Sequence, residues 1–433
     1  MNDENDRAAA QSGDPHDPAA ISRRRFLSTV GAGVGAAATI GGISGYALAS
    51  EREATATAPI STTVPFFGPH QAGVTTPAQA HMAFVSFDVM PTADRGEVEA
   101  LLATWTAAAA AMCAGEPVGT TDEGARLAPP EDTGEAVGLP AAALTVTFGM
   151  GPSLFTGELG RRLGLQDRRP GSLIDLPPFP GDVLDPRRSD GDLGIQVCAE
   201  DPQVVMHAVR NLVRIGRGTV LARWIQQGFI PATHDETPRN LMGFKDGTNN
   251  PDIASDAAMD AAVWVPQEER QAWMRGGTYL VFRRIRILVE FWDRTILDEQ
   301  ERTIGRHKGS GAPMGAAAEF DPLPLEAKDA DGEPAIPIDA HVRLAAPAMN
   351  RGATMLRRGY SFADGLDPVT GEIDAGLLFL AFQQHPETQF VRVQNALAGV
   401  DALNEYIKHV GSAIFAVPGG IAPGASVGDA LFA

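Results

Sequence analysis

The sequence predicts an α+β protein built from two similar halves, and three observations point to this fold class. Short segments alternate apolar and polar residues with a period of two, which is typical of half-buried strands. Other segments repeat apolar residues at three- and four-residue spacing, as amphipathic helices do. The segments follow one another in the order βαββαβ, which is the ferredoxin-like unit, and a comparable series recurs later in the chain.

The first half is predicted over residues 60–234, with four strands and two helices. The first helix follows the first strand, with Thr92 as its cap and an apolar face that runs from Val98 to Trp105. The second helix opens at Asp201, and the proline after it suits the first helical position. The four strands are predicted at residues 81–90, 144–148, 193–197 and 219–225.

The second half is predicted over residues 235–433 and begins with a passage rich in Pro, Asn, Gly and Asp. It repeats the pattern, with one helix over residues 291–302 and further helices after Pro386. The stretches 115–138 and 322–337 are rich in Gly, Pro and acidic residues and are predicted as surface loops. Strands are predicted at residues 279–287, 377–384 and 412–417.

Composition and charge exclude two classes of partner. The chain has 433 residues, with 35 Lys and Arg against 54 Asp and Glu, so its formal net charge is −19. Such a chain repels phosphate backbones and anionic lipid, so neither nucleic acid nor a membrane surface is expected as its main partner. Cys113 and Cys198 are too few for a Cys-rich metal site or a disulfide framework and allow at most one bridge. A metal would therefore be held by His, by carboxylates or inside a cofactor.

An export leader is predicted over residues 1–49. Arg23 and Arg24 precede an apolar stretch without a single charge, which ends in Ala-Leu-Ala at residue 49. This pattern is typical of a cleaved signal, and the paired arginines resemble the twin-arginine signal, an address read by a receptor. Six glycines make the stretch a poor membrane span, and an uncleaved N-terminal anchor is the alternative. The mature protein is expected in the periplasm, outside the cell or in the cell envelope.

Four segments of the second half carry residue types suited to chemistry, although each also has an ordinary structural explanation. Asp246 lies in a Gly-x-x-Asp-Gly pattern, which by itself predicts a tight turn. His341 follows 95 residues later and by itself would be a satisfied polar residue. Arg357 and Arg358 would be a solvated basic pair, and residues 301–308 an exposed basic helix end.

Together and in this order, the four segments resemble the dye-decolorizing haem peroxidases, and within that family the exported deferrochelatase/peroxidase subgroup linked to iron uptake. The resemblance extends over nearly the whole chain after the leader, with matches at residues 65–73, 147–149, 191–193, 376–379 and 418–420. It implies the family's fold, a duplicated ferredoxin-like architecture of the dimeric α+β barrel type, with haem in the C-terminal half.

The resemblance also implies roles for individual residues. His341 matches the proximal ligand of the haem iron, Asp246 the distal acid and Arg357 the distal arginine. Arg306 suits a haem propionate, because a guanidinium pairs with a carboxylate. Asp401 is the candidate acid for the other ring nitrogen of His341. The residues that match backbone lying against the haem are Gly247, Thr248, Asn249, Ala346, Pro347 and Ala348.

The implied activity is the reduction of hydrogen peroxide by a haem b enzyme that oxidises bulky organic compounds such as dyes or phenols. Release of iron from haem with the porphyrin intact is the first alternative, and a non-catalytic haem carrier of the cell envelope is the second. A carrier would have no need for Asp246 and Arg357 together. A homodimer or higher homo-oligomer is expected, and the first alternative would involve components of an iron-uptake system. Electrons from bulky reductants would pass through surface aromatic residues. Aromatic residues at strand or helix spacing are more often part of the core, and the sequence does not choose among the aromatic residues of this half: Trp264, Trp273, Trp292, Tyr279 and Tyr360.

Overall fold

The computed structural model describes residues 62–120, 126–231 and 236–433, and an antiparallel sheet organises this part of the chain. The leader predicted over residues 1–49 lies outside the described residues. The strands are β1 (His81–Val89), β2 (Thr145–Met150), β3 (Leu193–Ala199), β4 (Val220–Phe229), β5 (Thr278–Ile287), β6 (Leu356–Arg357), β7 (Tyr360–Leu366), β8 (Ile373–Gln383) and β9 (Ile407–Val417).

The sheet closes on itself, and its two halves share one strand order. Neighbouring strands run β5-β9-β2-β3-β1-β4-β7-β8-β6, and β5 also pairs with β8. The first half is ordered β2-β3-β1-β4 and the second β7-β8-β5-β9, while the two-residue strand β6 adds to β8. Single residue pairs join the halves, Met150 with Ala416 and Phe229 with Ser361. The result is a barrel-like sheet.

Helices connect and cover the strands. None of the helices in the described ranges is long and apolar enough to cross a membrane. In chain order they are α1 (Arg95–Cys113), α2 (Gly157–Leu163), α3 (Pro202–Ile215), α4 (Asp256–Ala262), α5 (Val289–Trp292), α6 (Leu297–Ile304), α7 (His341–Ala345), α8 (Arg392–Ala398) and α9 (Asp429–Phe432).

Two helix predictions need correction. Asp94, rather than Thr92, caps α1, because its side chain accepts from the Glu97 N–H while the Glu97 carboxylate accepts from the Asp94 N–H. The helix predicted over residues 291–302 is two helices, α5 and α6. The Gln300 side chain donates to the carbonyl of Trp292 at 3.0 Å and so satisfies a backbone group freed by the break.

The strand predictions are confirmed, with two omissions. All seven predicted strands are present, and β4 extends to Phe229, beyond its predicted end. β6 and β7 were not predicted, because their segment contains glycines and charged residues and shows no clear alternation. The loop predicted at residues 322–337 is irregular, as expected.

Aromatic side chains fill both faces of the sheet in the first half. Inside the barrel, Trp224 lies 4.9 Å from Phe282 and 5.4 Å from Phe84, measured between ring centroids. On the outer face, α1 buries Trp105 against Phe87, with ring centroids 5.1 Å apart. Because successive side chains of a strand point to opposite faces, alternate residues pack into two cores, one on each side of the sheet.

A buried contact between a carboxylate and an imidazole anchors the loop predicted at residues 115–138. Asp132 Oδ1 lies 2.9 Å from His207 Nε2 on α3, and the Asp132 carboxylate also accepts from the N–H groups of Val118 and Gly134. Burial by itself would raise the pKa of this carboxyl, but the donors outweigh burial and hold the pKa below its ordinary value.

Both cysteines are buried free thiols, so the bridge that the sequence left open does not form. Cys113 ends α1, and burial raises its pKa to about 12. Cys198 lies in β3, where its sulfur accepts a hydrogen bond from the Tyr360 hydroxyl at 3.7 Å. Neither thiol is therefore suited to act as a nucleophile.

Candidate active site

A cavity lies beside the second half of the sheet, under the segments that cover it. β5, β8 and β9 contribute Ile285, Phe379 and Ile407, and α8 contributes Val393 and Leu397. The remaining walls come from α7, from the turn around residues 240–249 and from the segment before β6. The walls are mainly apolar, and charged or polar side chains reach the cavity at a few points.

His341 and His409 both line the cavity and both have a buried carboxylate partner, but only the His341 contact is at hydrogen-bond distance, because His409 Nδ1 lies 3.8 Å from Asp182 Oδ1. His341 begins α7, and its Nδ1 lies 2.7 Å from Asp401 Oδ2. The Asp401 side chain is 2% exposed, and its other oxygen accepts from the Leu403 N–H at 2.9 Å. The His341 side chain is 31% exposed. Burial lowers the pKa of His341, but Asp401 outweighs burial and raises it above the ordinary value.

This contact determines which ring nitrogen of His341 is available. Both oxygens of Asp401 are acceptors, so Nδ1 donates and the lone pair of the neutral ring stays on Nε2. Nε2 has no hydrogen-bond partner in the part of the chain that the structure describes. The arrangement is the one that a metal-bound histidine requires.

Asp246 is presented to the cavity by a tight turn. Its N–H donates to the Pro238 carbonyl at 2.8 Å, and the turn closes with the Gly243 N–H on the Asn240 carbonyl at 2.9 Å. Gly243 and Gly247 have φ of 85° and 118°, in the left-handed region where a side chain is strained. A Cβ at Gly243 would also meet Lys308 Cε at 2.6 Å. The Gly-x-x-Asp-Gly pattern therefore forms the turn that its ordinary explanation predicts, and the turn places Asp246 at the cavity.

Arg357 meets Asp246 at this wall of the cavity. Its Nη1 lies 3.5 Å from Asp246 Oδ1, and both side chains are partly exposed. The two residues lie 111 positions apart in the chain, and β6 brings Arg357 to the turn. The structure thus brings together His341, Asp246 and Arg357, which line one cavity.

Two residues around this pair were missed by the sequence analysis. The Asn250 side chain donates to the Arg357 carbonyl at 2.7 Å and accepts from the Arg357 N–H at 3.2 Å. The Glu319 carboxylate accepts from Lys245 at 2.6 Å and from the Thr248 hydroxyl at 2.9 Å, on both sides of Asp246. No local pattern in the sequence signals these contacts, because they join residues more than 70 positions apart.

Arg306 is a buried cation at the cavity. It is 7% exposed, and its Nη1 donates to the carbonyls of Gly311 and Glu319 at 2.6 and 2.9 Å. Among the described residues no carboxylate forms an ion pair with it. Burial lowers its pKa, yet a guanidinium stays charged in proteins, so a ligand carboxylate would be a favourable partner.

The remaining predicted residues divide into three groups. The cavity is lined by Gly247, Thr248, Asn249, Ala346 and Pro347. Ala348 is not among the lining residues. The aromatic candidates are buried core residues, which is the alternative that their strand or helix spacing favours, and each is at most 7% exposed: Trp264, Trp273, Trp292, Tyr279 and Tyr360.

The chain is similar in sequence and fold to one known family and to several of its members. The sequence model of the Dyp-type peroxidase N-terminal part matches residues 71–230, and that of the C-terminal part matches residues 237–422. Deferrochelatase from Escherichia coli (strain K12) is 41% identical over 365 residues, which cover 82% of this chain and 84% of that protein. Dye-decolorizing peroxidase from Thermobifida fusca (strain YX) is 43% identical over 363 residues, 80% of each chain.

Solved structures agree with these matches. Ferric DtpA from Streptomyces lividans has a TM-score of 0.79 and 42% identity, over 86% of this chain and 97% of that one. A DyP-type peroxidase from Streptomyces coelicolor has a TM-score of 0.80 and 42% identity, with the same coverage. The similarity therefore includes the second half of the sheet and the cavity beside it.

Proposed function

Because this chain belongs to the Dyp-type peroxidase family and is a haem-dependent peroxidase, we propose that its cavity binds haem b with His341 as the iron ligand. One observation carries the proposal. A histidine whose Nδ1 is held by a buried carboxylate at 2.7 Å lines the same cavity as the Asp246–Arg357 pair.

The residues of the cavity fit a haem. Apolar side chains such as Ile285, Phe379 and Leu397 suit a flat macrocycle, and Arg306 suits a propionate. In the described ranges, no three His, Cys, Asp or Glu side chains group to hold a metal ion, whereas a macrocycle needs one axial imidazole. Cys113 and Cys198 are not in a Cys-x-x-Cys-His sequence, so the attachment would be non-covalent, as for haem b.

The side chains around the cavity would each do one task. Bound haem would supply the iron at which peroxide is reduced and the oxidising equivalents that an organic reductant receives. Asp246 can take a proton from one oxygen of hydrogen peroxide and deliver it to the other, which is general acid/base catalysis. Arg357 stabilises the negative charge that develops on the departing oxygen. Their separation of 3.5 Å lets one small ligand contact both groups.

A second function is favoured by one specific observation. Relatives named deferrochelatase are 41% identical to this chain over most of its length. Release of iron from haem with an intact porphyrin is therefore the runner-up, and iron-uptake components would be its partners. A non-catalytic haem carrier is a weaker alternative, because carriage alone does not require the Asp246–Arg357 pair.

The test of the proposal is the visible spectrum of the purified protein. The parent chain should bind one haem b with a Soret band, and His341→Ala should abolish that band. His385→Ala is the matched control, because His385 is exposed and, among the described residues, the one hydrogen bond of its side chain joins it to the Ser172 hydroxyl at 3.2 Å. A His341→Ala protein with the parent spectrum would overturn the ligand assignment. Iron-free porphyrin formed from added haem, without any reaction with peroxide, would favour the runner-up.

Further features of the proposal concern architecture, export and assembly. The strand order shared by the two halves supports a duplication of ferredoxin-like units, with haem in the second. Export through the twin-arginine pathway rests on Arg23 and Arg24. A homo-oligomer is supported by exposed apolar side chains on β4, Leu221, Ile225 and Phe229, which a second copy could cover. Bulky dye-like or phenolic compounds are the proposed reductants.

A further inference from the structure

Asn250 connects the two charged residues of the site. Its side-chain amide makes two hydrogen bonds to the main chain of Arg357, donating to the carbonyl at 2.7 Å and accepting from the N–H at 3.2 Å. Two such bonds resemble those that a neighbouring strand would make. β6 is thus held by β8 on one edge, where Arg357 faces Ala381, and by one amide on the other edge.

Asn250 belongs to the same turn as Asp246. The Asn250 N–H donates to the Gly247 carbonyl at 2.9 Å, so only a short, closed piece of backbone separates the amide from Asp246. On the other side of the turn, Glu319 holds Lys245 and Thr248. Those contacts fix the turn, but none of them reaches Arg357.

We propose that Asn250 is a positioning residue that sets the separation between the Arg357 guanidinium and the Asp246 carboxylate. This inference rests on the proposed function, because it assigns Asn250 to the reaction of that same pair with peroxide. The Arg357 side chain forms its only ion pair among the described residues with Asp246, at 3.5 Å, so its main chain needs a separate anchor. A misplacement of about 1 Å in a catalytic group can cost roughly a hundredfold in rate.

The first test measures the rate of the peroxide reaction in haem-loaded protein and compares three single substitutions. Asn250→Ala removes both bonds, and Asn250→Asp keeps the acceptor but places a second acceptor against the Arg357 carbonyl. Asp252→Ala is the control, because Asp252 is exposed in the same loop and, within the described ranges, its side chain accepts from the Ala254 N–H alone. Both Asn250 variants should keep the parent haem content and react with peroxide about 10–100 times more slowly. The control should match the parent.

Two readouts besides activity separate positioning from a general structural role. Fluoride binding to the ferric protein, followed in the visible spectrum, should weaken roughly tenfold in Asn250→Ala, because an anion at the iron loses a charged hydrogen-bond donor. Amide hydrogen exchange at Arg357 should accelerate in both Asn250 variants, with or without haem, because that N–H loses its acceptor or its anchor.

A double variant tests whether Asn250 acts through Arg357. In an Arg357→Ala background, Asn250→Ala should have little further effect on the rate of the peroxide reaction.

The outcomes distinguish this inference from the proposed function. Parent rate, parent fluoride affinity and unchanged exchange in Asn250→Ala would overturn the role of Asn250 alone. If Asn250→Ala does not fold, the same three results in Asn250→Asp would overturn it. A parent protein that binds haem but does not react with peroxide would instead overturn the proposed function.

Discussion

Replacing Asp401 by Asn should weaken haem binding, because the buried carboxylate accepts two hydrogen bonds that one amide cannot reproduce. In the structure, Oδ1 accepts from the Leu403 N–H at 2.9 Å and Oδ2 lies 2.7 Å from His341 Nδ1. An Asn side chain has one oxygen that accepts and one NH₂ group that only donates. If its oxygen stays on Leu403, its NH₂ group faces His341 Nδ1 and forces the ring proton onto Nε2. That tautomer has no lone pair for a metal on Nε2.

The size of the effect follows from the other orientation of the amide. Turning the oxygen towards His341 would keep the correct tautomer but would leave the Leu403 N–H facing a second donor. An unsatisfied buried donor costs about 1–3 kcal/mol. At about 1.4 kcal/mol per factor of ten, haem affinity should fall roughly 5–150-fold. This range overlaps the roughly 10–100-fold loss that follows removal of a carboxylate behind a metal-bound histidine.

The assay is a titration of the haem-free protein with haem, followed at the Soret band, with transfer of haem to an apo-globin as a second measure. Glu405→Gln is the matched control, because it removes one negative charge from an exposed position in the same short helix as Leu403. We expect weaker binding and faster transfer in Asp401→Asn alone. Equal affinities in the parent, the control and Asp401→Asn would refute the reasoning that Asp401 selects the tautomer.

Three further predictions concern reactivity, export and stability. At unchanged haem content, Asp246→Asn should slow the peroxide-dependent change in the visible spectrum about 10²–10⁴-fold, and Arg357→Leu about 10²–10³-fold, as measured by stopped-flow absorbance. The double variant should be slowed by less than the product of the two factors, because both residues act on one transition state. Parent rates in both single variants would contradict the assignment. Changing Arg23 and Arg24 together to Lys should retain the protein in the cytoplasm in cell fractionation, whereas continued export would indicate a general secretory signal. Folding lowers the pKa of Asp132. The stability that its ionised carboxylate gives the fold is therefore complete above the unfolded pKa near 4 and is lost as the pH falls through the folded pKa. Asp132→Asn should therefore cost about 1–3 kcal/mol in urea unfolding at pH 7 and much less at pH 3, and equal costs at both pH values would refute this linkage.

The sequence by itself predicted the types of element and named three residues that the structure places in the lining of one cavity. The period of two predicted the strands of both halves, although β1, β2 and β3 are buried on both faces, between one core inside the barrel and another under the helices. Asp246, His341 and Arg357 were named because their segments, taken together and in order, resemble those of the dye-decolorizing peroxidases, although each segment alone has an ordinary explanation. The sequence did not decide which residue caps α1. Thr92 and Asp94 are both acceptable caps, and in the structure Asp94 is the cap because it forms reciprocal hydrogen bonds with Glu97.

Only the tertiary structure decided how these residues meet. Asp401 could be named as a candidate, but its distance from His341 depends on how the chain returns after 60 residues. The contacts of Asn250 with Arg357 and of Glu319 with Lys245 had no signal in the sequence, because they join residues 107 and 74 positions apart. Such contacts are set by the closure of the sheet, which places β6 beside the Asp246 turn. Periodicity reports which face of an element is buried, whereas the partner that covers that face depends on the whole fold.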